Sequence, residues 1–244
     1  MPRPLKRMTA RSVVLSVLLG AHPARASAGE LIRLTADFGI KEPTLRVALT
    51  RMVSGGDLVR SADGYRLSDR LLARQRRQDD AMHPRVRTWH GDWTTVIVTS
   101  VGTDARTRAA LRSTLQHHRF GELREGVWMR PDNLEADLHS ELGQRVRVLR
   151  ATDEDPAELA GVLWDVPEWV LAGQQLLDQM AAASDMPGRF MIAAAIVRHL
   201  LTDPMLPAEL LSVDWPGARL RAAYTDFATE MTRRRDQIQL VEAR

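Results

Sequence analysis

The stretch KEPTLRVALTRMVSGGDLVRSADGYRLS, from Lys41 to Ser68, decides how the N-terminal third of the chain folds. Its apolar residues recur at the i, i+3, i+4, i+7 spacing of one helix face: Leu45, Ala48, Leu49 and Met52. Pro43 suits the first turn of that helix, and Gly55-Gly56 favour its end. Two short runs, Leu58–Arg60 and Tyr65–Leu67, then flank the turn sequence Ser-Ala-Asp-Gly. The stretch therefore predicts a helix followed by a two-stranded hairpin.

Two more helices are predicted before this stretch, over Thr9–Gly20 and Ala28–Phe38, with a turn at Gly39. The order helix, helix, turn, helix, hairpin is typical of a winged helix-turn-helix. The polar, arginine-rich run Ser68–Met82 predicts a connecting helix. We therefore assign residues 1–70 to a winged-helix DNA-binding domain and residues 71–90 to a linker helix.

The predicted third helix carries a face of small residues opposite its apolar stripe. A helical wheel places Val47, Thr50 and Ser54 on that face, with Arg46 and Arg51 on its two flanks. Such a face fits the ~12 Å major groove of B-DNA, where flanking cations reach phosphates or a guanine edge. The candidate DNA contacts are Lys41, Thr44, Arg46, Val47, Thr50, Arg51, Ser54, Arg60 and Arg66. The alternative is a small helical bundle whose arginines are solvated.

Charge is segregated along the chain. Residues 1–90 hold 17 Lys and Arg against 8 Asp and Glu, a net +9, and the remaining residues hold 17 against 23, a net −6. A basic third on an acidic body favours an anionic partner such as nucleic acid. Codon bias explains why Lys6 and Lys41 are the only lysines, but it does not explain the segregation of sign.

The middle of the chain predicts strands that alternate with helices. The predicted elements are, in order, strand Trp93–Val101, helix Asp104–His117, strands Phe120–Leu123 and Gly126–Arg130, helix Asp132–Leu142, and strand Arg145–Arg150. This β-α-β-β-α-β order is that of a ferredoxin-like domain, here residues 91–153. Residues 154–244 predict helices only. The expected fold class is α+β and multidomain, with an all-α C-terminal domain.

Other function classes are disfavoured by what the sequence lacks. No apolar run among the 244 residues approaches the ~20 that span a bilayer, so we expect a cytoplasmic protein without membrane contact. The adjacent His117 and His118 point to different helix faces and cannot form an i, i+4 metal pair. There is no glycine-rich phosphate loop and no G-x-S-x-G motif. We expect no catalytic residue, no metal and no cofactor.

Three segments resemble one known family. The segment Gly39–Met52, with Leu45-Arg46, Ala48-Leu49 and Arg51-Met52 at matching places, resembles the winged-helix segment of the PaaX family. Proteins of that family are bacterial repressors of aromatic-acid catabolism of the phenylacetate type. Trp89–Val98 and Phe120–Pro131 are similar to the family's middle domain, and Leu200–Tyr224 is similar to its C-terminal helical domain. The resemblance covers nearly the whole chain in the right order.

This resemblance implies a homodimer that represses a catabolic operon from a palindromic double-stranded operator. It also implies release of the operator by an acyl-CoA effector such as phenylacetyl-CoA, with residues 154–244 as the domain for effector binding and dimerisation. A ligand of the CoA type needs cations for its phosphates and an apolar slot for its acyl group. Arg189, Arg198 and His199 are candidates for the cations, and Trp128 and Trp164 for the slot. The alternative for each is a surface cation or a core tryptophan.

Two other functions stay open at this point. The middle domain also resembles the ferredoxin-like proteins of CRISPR adaptation, some of which are nucleases, so a metal-dependent nucleic-acid hydrolase is one alternative. Such an enzyme needs an acidic residue at the end of the first strand, but that strand ends Thr99-Ser100-Val101, and Asp104 lies beyond it. The other alternative is a DNA-binding protein that responds to no effector.

Overall fold

The computed structural model describes residues 8–100, 104–135 and 142–242, with side chains through residue 240. The described chain is mixed α+β, as the sequence predicts, and it divides into two compact units. The first unit is Met1–Met82, Leu176–Val197 and Arg219–Arg244, and the second is His83–Gln175 and Arg198–Ala218. The division into domains at residues 70, 90 and 153 stays a prediction. Within the described residues, no helix is both long and apolar enough to cross a bilayer.

Nearly all the predicted helices and strands are confirmed, with ends that shift by a few residues. The helices are α1 (Ala10–Leu19), α2 (Ala28–Ala36), α3 (Glu42–Ser54), α4 (Asp69–Met82), α5 (Ala105–His117), α6 (Pro156–Leu163), α7 (Val166–Ala182), α8 (Met186–Leu200) and α9 (Gly217–Glu242). The strands are β1 (Arg25–Ala26), β2 (Leu58–Ser61), β3 (Gly64–Leu67), β4 (Asp92–Val98), β5 (Gly121–Arg124), β6 (Val127–Pro131) and β7 (Val146–Thr152). Most of the helix predicted over Asp132–Leu142, and Val101 of the first predicted strand, lie outside the described residues. The prediction is wrong for the described start of that helix, residues 132–135, because Leu134 forms a β-bridge with Val86 there.

Hydroxyl side chains begin the first two helices. The Thr9 hydroxyl accepts a hydrogen bond from the Ser12 amide at 3.2 Å, and the Ser27 hydroxyl accepts one from the Glu30 amide at 2.9 Å. Each satisfies a backbone N–H that has no partner within its helix. Helix α3 has no such side-chain cap, but it has Pro at its second position and ends at Gly55, as the sequence predicts.

The core of the first unit forms where α3 packs on α1. Leu45, Leu49 and Met52 of α3 are between 0 and 2% exposed, and Val14 and Leu18 of α1 are fully buried in the same cluster. Burying each such side chain stabilises the fold by roughly 1.5–3 kcal/mol. The predicted apolar stripe is therefore the buried face of α3, and the opposite face is left to solvent.

The hairpin of the first unit gains a third strand that the sequence does not signal. Strand β3 pairs antiparallel with β2, with Arg60 opposite Tyr65, and with β1 on its other edge, with Arg25 opposite Arg66. The sheet order is therefore β1-β3-β2. Pairing to β1 ties the hairpin to the start of α2.

Two C-terminal helices belong to the first unit through much of their length. The Phe190 ring of α8 lies edge-on to Phe38 at 5.0 Å and to Phe227 of α9 at 6.0 Å between ring centroids. Arg235 of α9 donates to the carboxylate of Glu30, which is only 2% exposed. The first unit is thus completed by chain that follows α4 by about 100 residues.

The second unit is built on an antiparallel sheet of order β5-β6-β4-β7. The two faces of the sheet follow the period-2 alternation of a strand. On one face Val96 and Trp128 pack with Leu115 of α5. On the other face Trp93 packs with Leu159 of α6. All six tryptophans of the chain lie in this unit.

We expect Gly64→Ala to destabilise the first unit more than Gly56→Ala does. Both glycines have positive φ, +134° and +70°, so both variants strain the backbone. A Cβ on Gly64 would also lie 2.3 Å from the Ala26 carbonyl oxygen, whereas one on Gly56 meets nothing within 4 Å. The expected losses in unfolding free energy are roughly 3 kcal/mol and about 1 kcal/mol. Urea unfolding followed by far-UV circular dichroism measures both, and equal losses would contradict the close approach.

Candidate nucleic-acid interface

Every side chain predicted to contact DNA is exposed. Helix α3 presents Thr44, Arg46, Val47, Thr50, Arg51 and Ser54, Lys41 precedes it, and the hairpin presents Arg60 and Arg66. Val47 is 52% exposed, although nothing in its chemistry favours contact with water. The burial of the opposite stripe fixes this orientation, so the six α3 residues share one accessible surface. We call this surface the reading face.

Arg46 lies on one flank of the reading face and is paired within its own helix. Its Nε donates to Oε1 of Glu42 at 2.8 Å, and an Nη lies 2.6 Å from the same oxygen. Both side chains are about half exposed or more, so the pair contributes about 0–1 kcal/mol at most. Exchanging the carboxylate for a DNA phosphate therefore costs Arg46 little.

Two hydroxyl groups on the reading face already donate hydrogen bonds to backbone carbonyls of α3. The Thr50 hydroxyl donates to the Arg46 carbonyl and the Ser54 hydroxyl donates to the Thr50 carbonyl, each at 3.0 Å. Each oxygen keeps lone pairs directed away from these bonds. Thr50 and Ser54 can therefore accept hydrogen bonds from the amino groups of adenine or cytosine, and Thr50 also carries a methyl group suited to thymine.

Arg51 lies on the other flank, and it differs from Arg46. Among the described residues, its side chain makes no hydrogen bond or ion pair, and the same holds for Lys41 and Arg60. Its five N–H donors are available to a ligand without the loss of an internal contact. Arg66 on β3 is different again, since its guanidinium lies 3.8 Å from the carboxylate of Asp69.

A cleft of about 710 Å³ opens beside the Arg51 flank, between α3 and the beginning of α1. The residues that line it are Thr9, Ala10, Arg11, Pro43, Thr44, Val47, Ala48, Arg51, Met52, Gly55 and Asp57. We call this the α1–α3 cleft. Sequence reasoning missed Arg11 and Asp57, which are 46 residues apart in the chain and carry no local signal of their contact.

Asp57 is the organising residue of this cleft. Its carboxylate is 8% exposed and binds two arginines, one on each oxygen. Arg11 Nε donates to Oδ2 at 2.8 Å, and an Nη of Arg70 donates to Oδ1 at 2.7 Å. The carboxylate thereby holds the start of α1, the turn after α3 and the start of α4 together.

The five predicted effector residues have contrasting surroundings. Arg189 belongs to the first unit, where it pairs with Glu230, whereas Trp128, Trp164, Arg198 and His199 belong to the second. Trp128 is 4% exposed in the sheet core, and Trp164 packs against the backbone of Gly121. Arg198 is exposed. A shared pocket for these residues stays a prediction.

His199 belongs to an aromatic stack. The Trp169 ring stacks on His199 at 4.3 Å on one side and on Trp215 at 4.1 Å on the other. Within the described part of the chain, His199 Nε2 and Trp169 Nε1 are buried without a hydrogen-bond partner. Burial lowers the pKa of His199, against the opposing effects of a hydrogen bond with the Trp169 backbone and of the Asp203 charge.

A second cleft, of about 370 Å³, lies in the second unit around Asp132. The Asp132 carboxylate accepts hydrogen bonds from Thr94 at 2.9 Å, from Arg87, and from Arg150 at 3.1 Å. Burial raises the pKa of Asp132, but these hydrogen bonds and the two arginine charges outweigh it and leave the pKa below its ordinary value. The carboxylates of this cleft are therefore paired with arginines. Among all the described residues, no group of three His, Cys, Asp or Glu lies close enough together to hold a metal ion.

Family models match three consecutive parts of the chain. The model described as PaaX-like protein matches residues 9–71, and the one described as PaaX protein central Cas2-like domain matches residues 86–160. A third, described as PaaX-like protein C-terminal domain, matches residues 169–240. Together the three span most of the chain in a single order.

Two similar proteins extend this comparison. The transcriptional repressor PaaX of Escherichia coli (strain K12) is 27% identical in an alignment of length 223, and the match covers 79% of this chain and 70% of that protein. The solved structure of an uncharacterized protein from Mycobacterium tuberculosis is 76% identical, with a TM-score of 0.84. The match covers 95% of this chain and 99% of that one.

We expect the second unit to lose stability as the pH falls below about 6.5, the ordinary pKa of histidine. Because the folded state lowers the pKa of His199, the unfolded state binds its proton more readily, so stability is full above that pH and falls below it. The loss is up to about 1.4 kcal/mol per pH unit. Urea unfolding followed by tryptophan fluorescence, which reports this unit, measures it between pH 7.5 and pH 5.5.

His199→Phe keeps a stacking ring and removes the titrating group, so we expect this variant to lose that part of the pH dependence. Its stability at pH 7.5 should stay within about 1.5 kcal/mol of the wild type. An unchanged pH profile in the variant would contradict the assignment to His199.

Proposed function

The chain belongs to the PaaX family, and from that premise we propose that it is a DNA-binding transcriptional repressor. The repressor from Escherichia coli supports a regulator rather than an enzyme. The observation that carries the proposal is the reading face of α3, a surface of small side chains between arginines and opposite the buried Leu45, Leu49 and Met52. A solvated helix needs no such arrangement, whereas a helix that enters the major groove does.

We propose that α1 to β3 form a winged helix-turn-helix. Helices α2 and α3 supply the helix-turn-helix, joined by a turn at Gly39, whose φ is +66°. The sheet β1-β3-β2 supplies the wing, and its exposed Arg60 and Arg66 are placed for phosphates or the minor groove. The antiparallel order β5-β6-β4-β7 in the second unit supports a ferredoxin-like fold there.

The reading face supports distinct roles for its residues. Arg51, which has no partner among the described residues, is the candidate for direct reading of a guanine edge. Arg46 is the candidate for a phosphate contact, because its exposed ion pair with Glu42 is weak and can be exchanged for one with a phosphate. Val47 and the Thr50 methyl suit thymine.

We propose that the protein acts as a homodimer on a palindromic operator of a catabolic operon, with half-sites one helical turn or a multiple of it apart. The proposed effector is an acyl-CoA thioester that binds one dimer geometry better than the other. An effector can shift such an equilibrium only through this difference in affinity. Trp128, Trp164, Arg189, Arg198 and His199 remain its candidate contacts, on the strength of the family and of their residue types.

Arg51→Ala should weaken binding to an operator duplex that the wild-type protein has selected from random-sequence DNA. If Arg51 reads a base, we expect a loss of roughly 1–3 kcal/mol and relaxed specificity at one base pair. If it contacts only phosphate, affinity should fall evenly across sequences and the salt dependence should become shallower. Gel-shift titrations over a set of single base-pair changes distinguish these two outcomes.

The matched control for this variant is Arg77→Ala. Arg77 is exposed on α4, outside the proposed interface, and the substitution removes the same charge. If Arg51→Ala and Arg77→Ala bind the operator duplex with equal affinity, Arg51 does not contact DNA.

A specific acyl-CoA thioester should stabilise the protein and release it from DNA. At a ligand concentration 100-fold above its Kd, mass action stabilises the fold by about 2.7 kcal/mol, which corresponds to roughly 5–10 °C in Tm. Thermal shift over a panel of aryl and aliphatic thioesters, with free CoA as control, identifies it. If no thioester raises Tm or releases DNA, the protein is a DNA-binding repressor without this effector.

A further inference from the structure

We infer that the α1–α3 cleft receives a strand of the DNA sugar-phosphate backbone, and that Arg11 is a phosphate contact positioned by Asp57. This inference rests on the proposed function, because it extends the interface from α3 to a residue outside the helix-turn-helix. Arg11 lies on the first turn of α1, which the reading face alone does not include.

The α1–α3 cleft is continuous with the reading face. Thr44, Val47 and Arg51 belong both to the reading face and to the wall of the cleft. When the reading face enters the major groove, the cleft lies directly beside the groove. The neighbouring surface of duplex DNA at that place is the backbone that borders the groove.

The lining of the cleft suits that occupant. Pro43, Val47 and Ala48 give it an apolar wall, which matches the deoxyribose, and Arg11 and Arg51 give it cations, which match the phosphates. Among the described residues that line the cleft, Asp57 is the one acidic residue, and its carboxylate already binds both Arg11 and Arg70. The cleft therefore presents positive charge although it contains a carboxylate.

The contact between Arg11 and Asp57 leaves donors free for a phosphate. Nε and one Nη of Arg11 both lie 2.8 Å from Oδ2 of Asp57, and in the described residues the other Nη has no partner. The Arg11 side chain is 57% exposed, whereas the carboxylate that holds it is 8% exposed. Because the buried Asp57 carboxylate binds one edge of the Arg11 guanidinium, the other edge points outward. Less side-chain conformational entropy is then lost when Arg11 binds an anion.

Arg70 provides a control within the same cluster. It donates to the other oxygen of Asp57 at 2.7 Å and is 67% exposed, but it does not line the cleft. Arg11→Ala and Arg70→Ala therefore each remove one positive charge and one ion pair with the same carboxylate. They differ in whether the lost guanidinium faces the proposed backbone strand.

The test is the salt dependence of binding to a mixed-sequence duplex of roughly 20 base pairs, two helical turns. Fluorescence anisotropy gives the association constant of the full chain between about 0.05 and 0.2 M NaCl. Arg11→Ala should reduce the slope of log K against log salt by about 0.9, the release of one counterion, and should weaken binding roughly eightfold at 0.1 M. Arg70→Ala should keep the wild-type slope.

Two further variants separate charge from folding. Arg11→Gln keeps a donor for Asp57 but loses the charge, so it should lower the slope as Arg11→Ala does. Arg11→Lys keeps the charge and should retain most of the slope. Circular dichroism and Tm establish whether each variant is folded. If Arg11→Ala does not fold, Arg11→Gln and Arg11→Lys together test whether the charge of Arg11 contacts a phosphate.

Several results would overturn the inference. If Arg11→Ala and Arg70→Ala change the slope of log K against log salt equally, the change results from the loss of ion pairing with Asp57 and not from a phosphate contact of Arg11. If Arg11→Gln keeps the wild-type slope, Arg11 does not contact the DNA backbone. In both cases the wild-type protein still binds DNA, so the proposed function stands. A wild-type protein that shows no salt-dependent binding to any duplex would overturn the proposed function and this inference together.

Discussion

The burial of one stripe of α3 is the constraint on which the rest of the first unit depends. Leu45, Leu49 and Met52 have almost no solvent exposure, and each contributes roughly 1.5–3 kcal/mol through that burial. Turning the helix by one residue, about 100°, would bring these side chains to the surface and drive arginines into the core. Helix α3 therefore has a single rotational setting. The composition of its exposed face, including Val47, follows from that setting.

The same stripe explains why much of the fold could be predicted from the sequence. Helical spacing and a glycine stop are local signals, and so is the turn between β2 and β3, so each was readable without knowledge of the tertiary fold. Strand β1 was not, because its two residues, Arg25 and Ala26, are strand only through pairing with Arg66 and Tyr65. The Arg11–Asp57 contact was not predictable for the same reason: the two residues are 46 positions apart, and no local sequence pattern indicates that they meet in the fold.

The candidate effector site shows where sequence reasoning loses discrimination. Tryptophan fills cores as readily as it lines ligand slots, and only burial separates the two uses. Trp128 is a core residue by that criterion, being 4% exposed and packed in the sheet, and it also lies beneath Arg112 at 5.4 Å. Trp169 was not among the candidates, although its stack with His199 and Trp215 leaves two polar nitrogens buried without partners in the described chain.

The way in which α8 and α9 complete the first unit bears on how such regulators can be recombined. A fragment that ends after α4 would lack Phe190 and Phe227, which pack in the core of the first unit, and the arginine of α9 that pairs with Glu30. The fragment would expose apolar side chains that the complete unit buries, and a loss of burial on this scale is costly enough to threaten folding. The part of the chain up to the end of α4 is therefore not a portable module. Under the proposed function, exchange of DNA specificity between relatives, by recombination or by design, has to proceed through substitutions on α3 or carry both ends of the chain together.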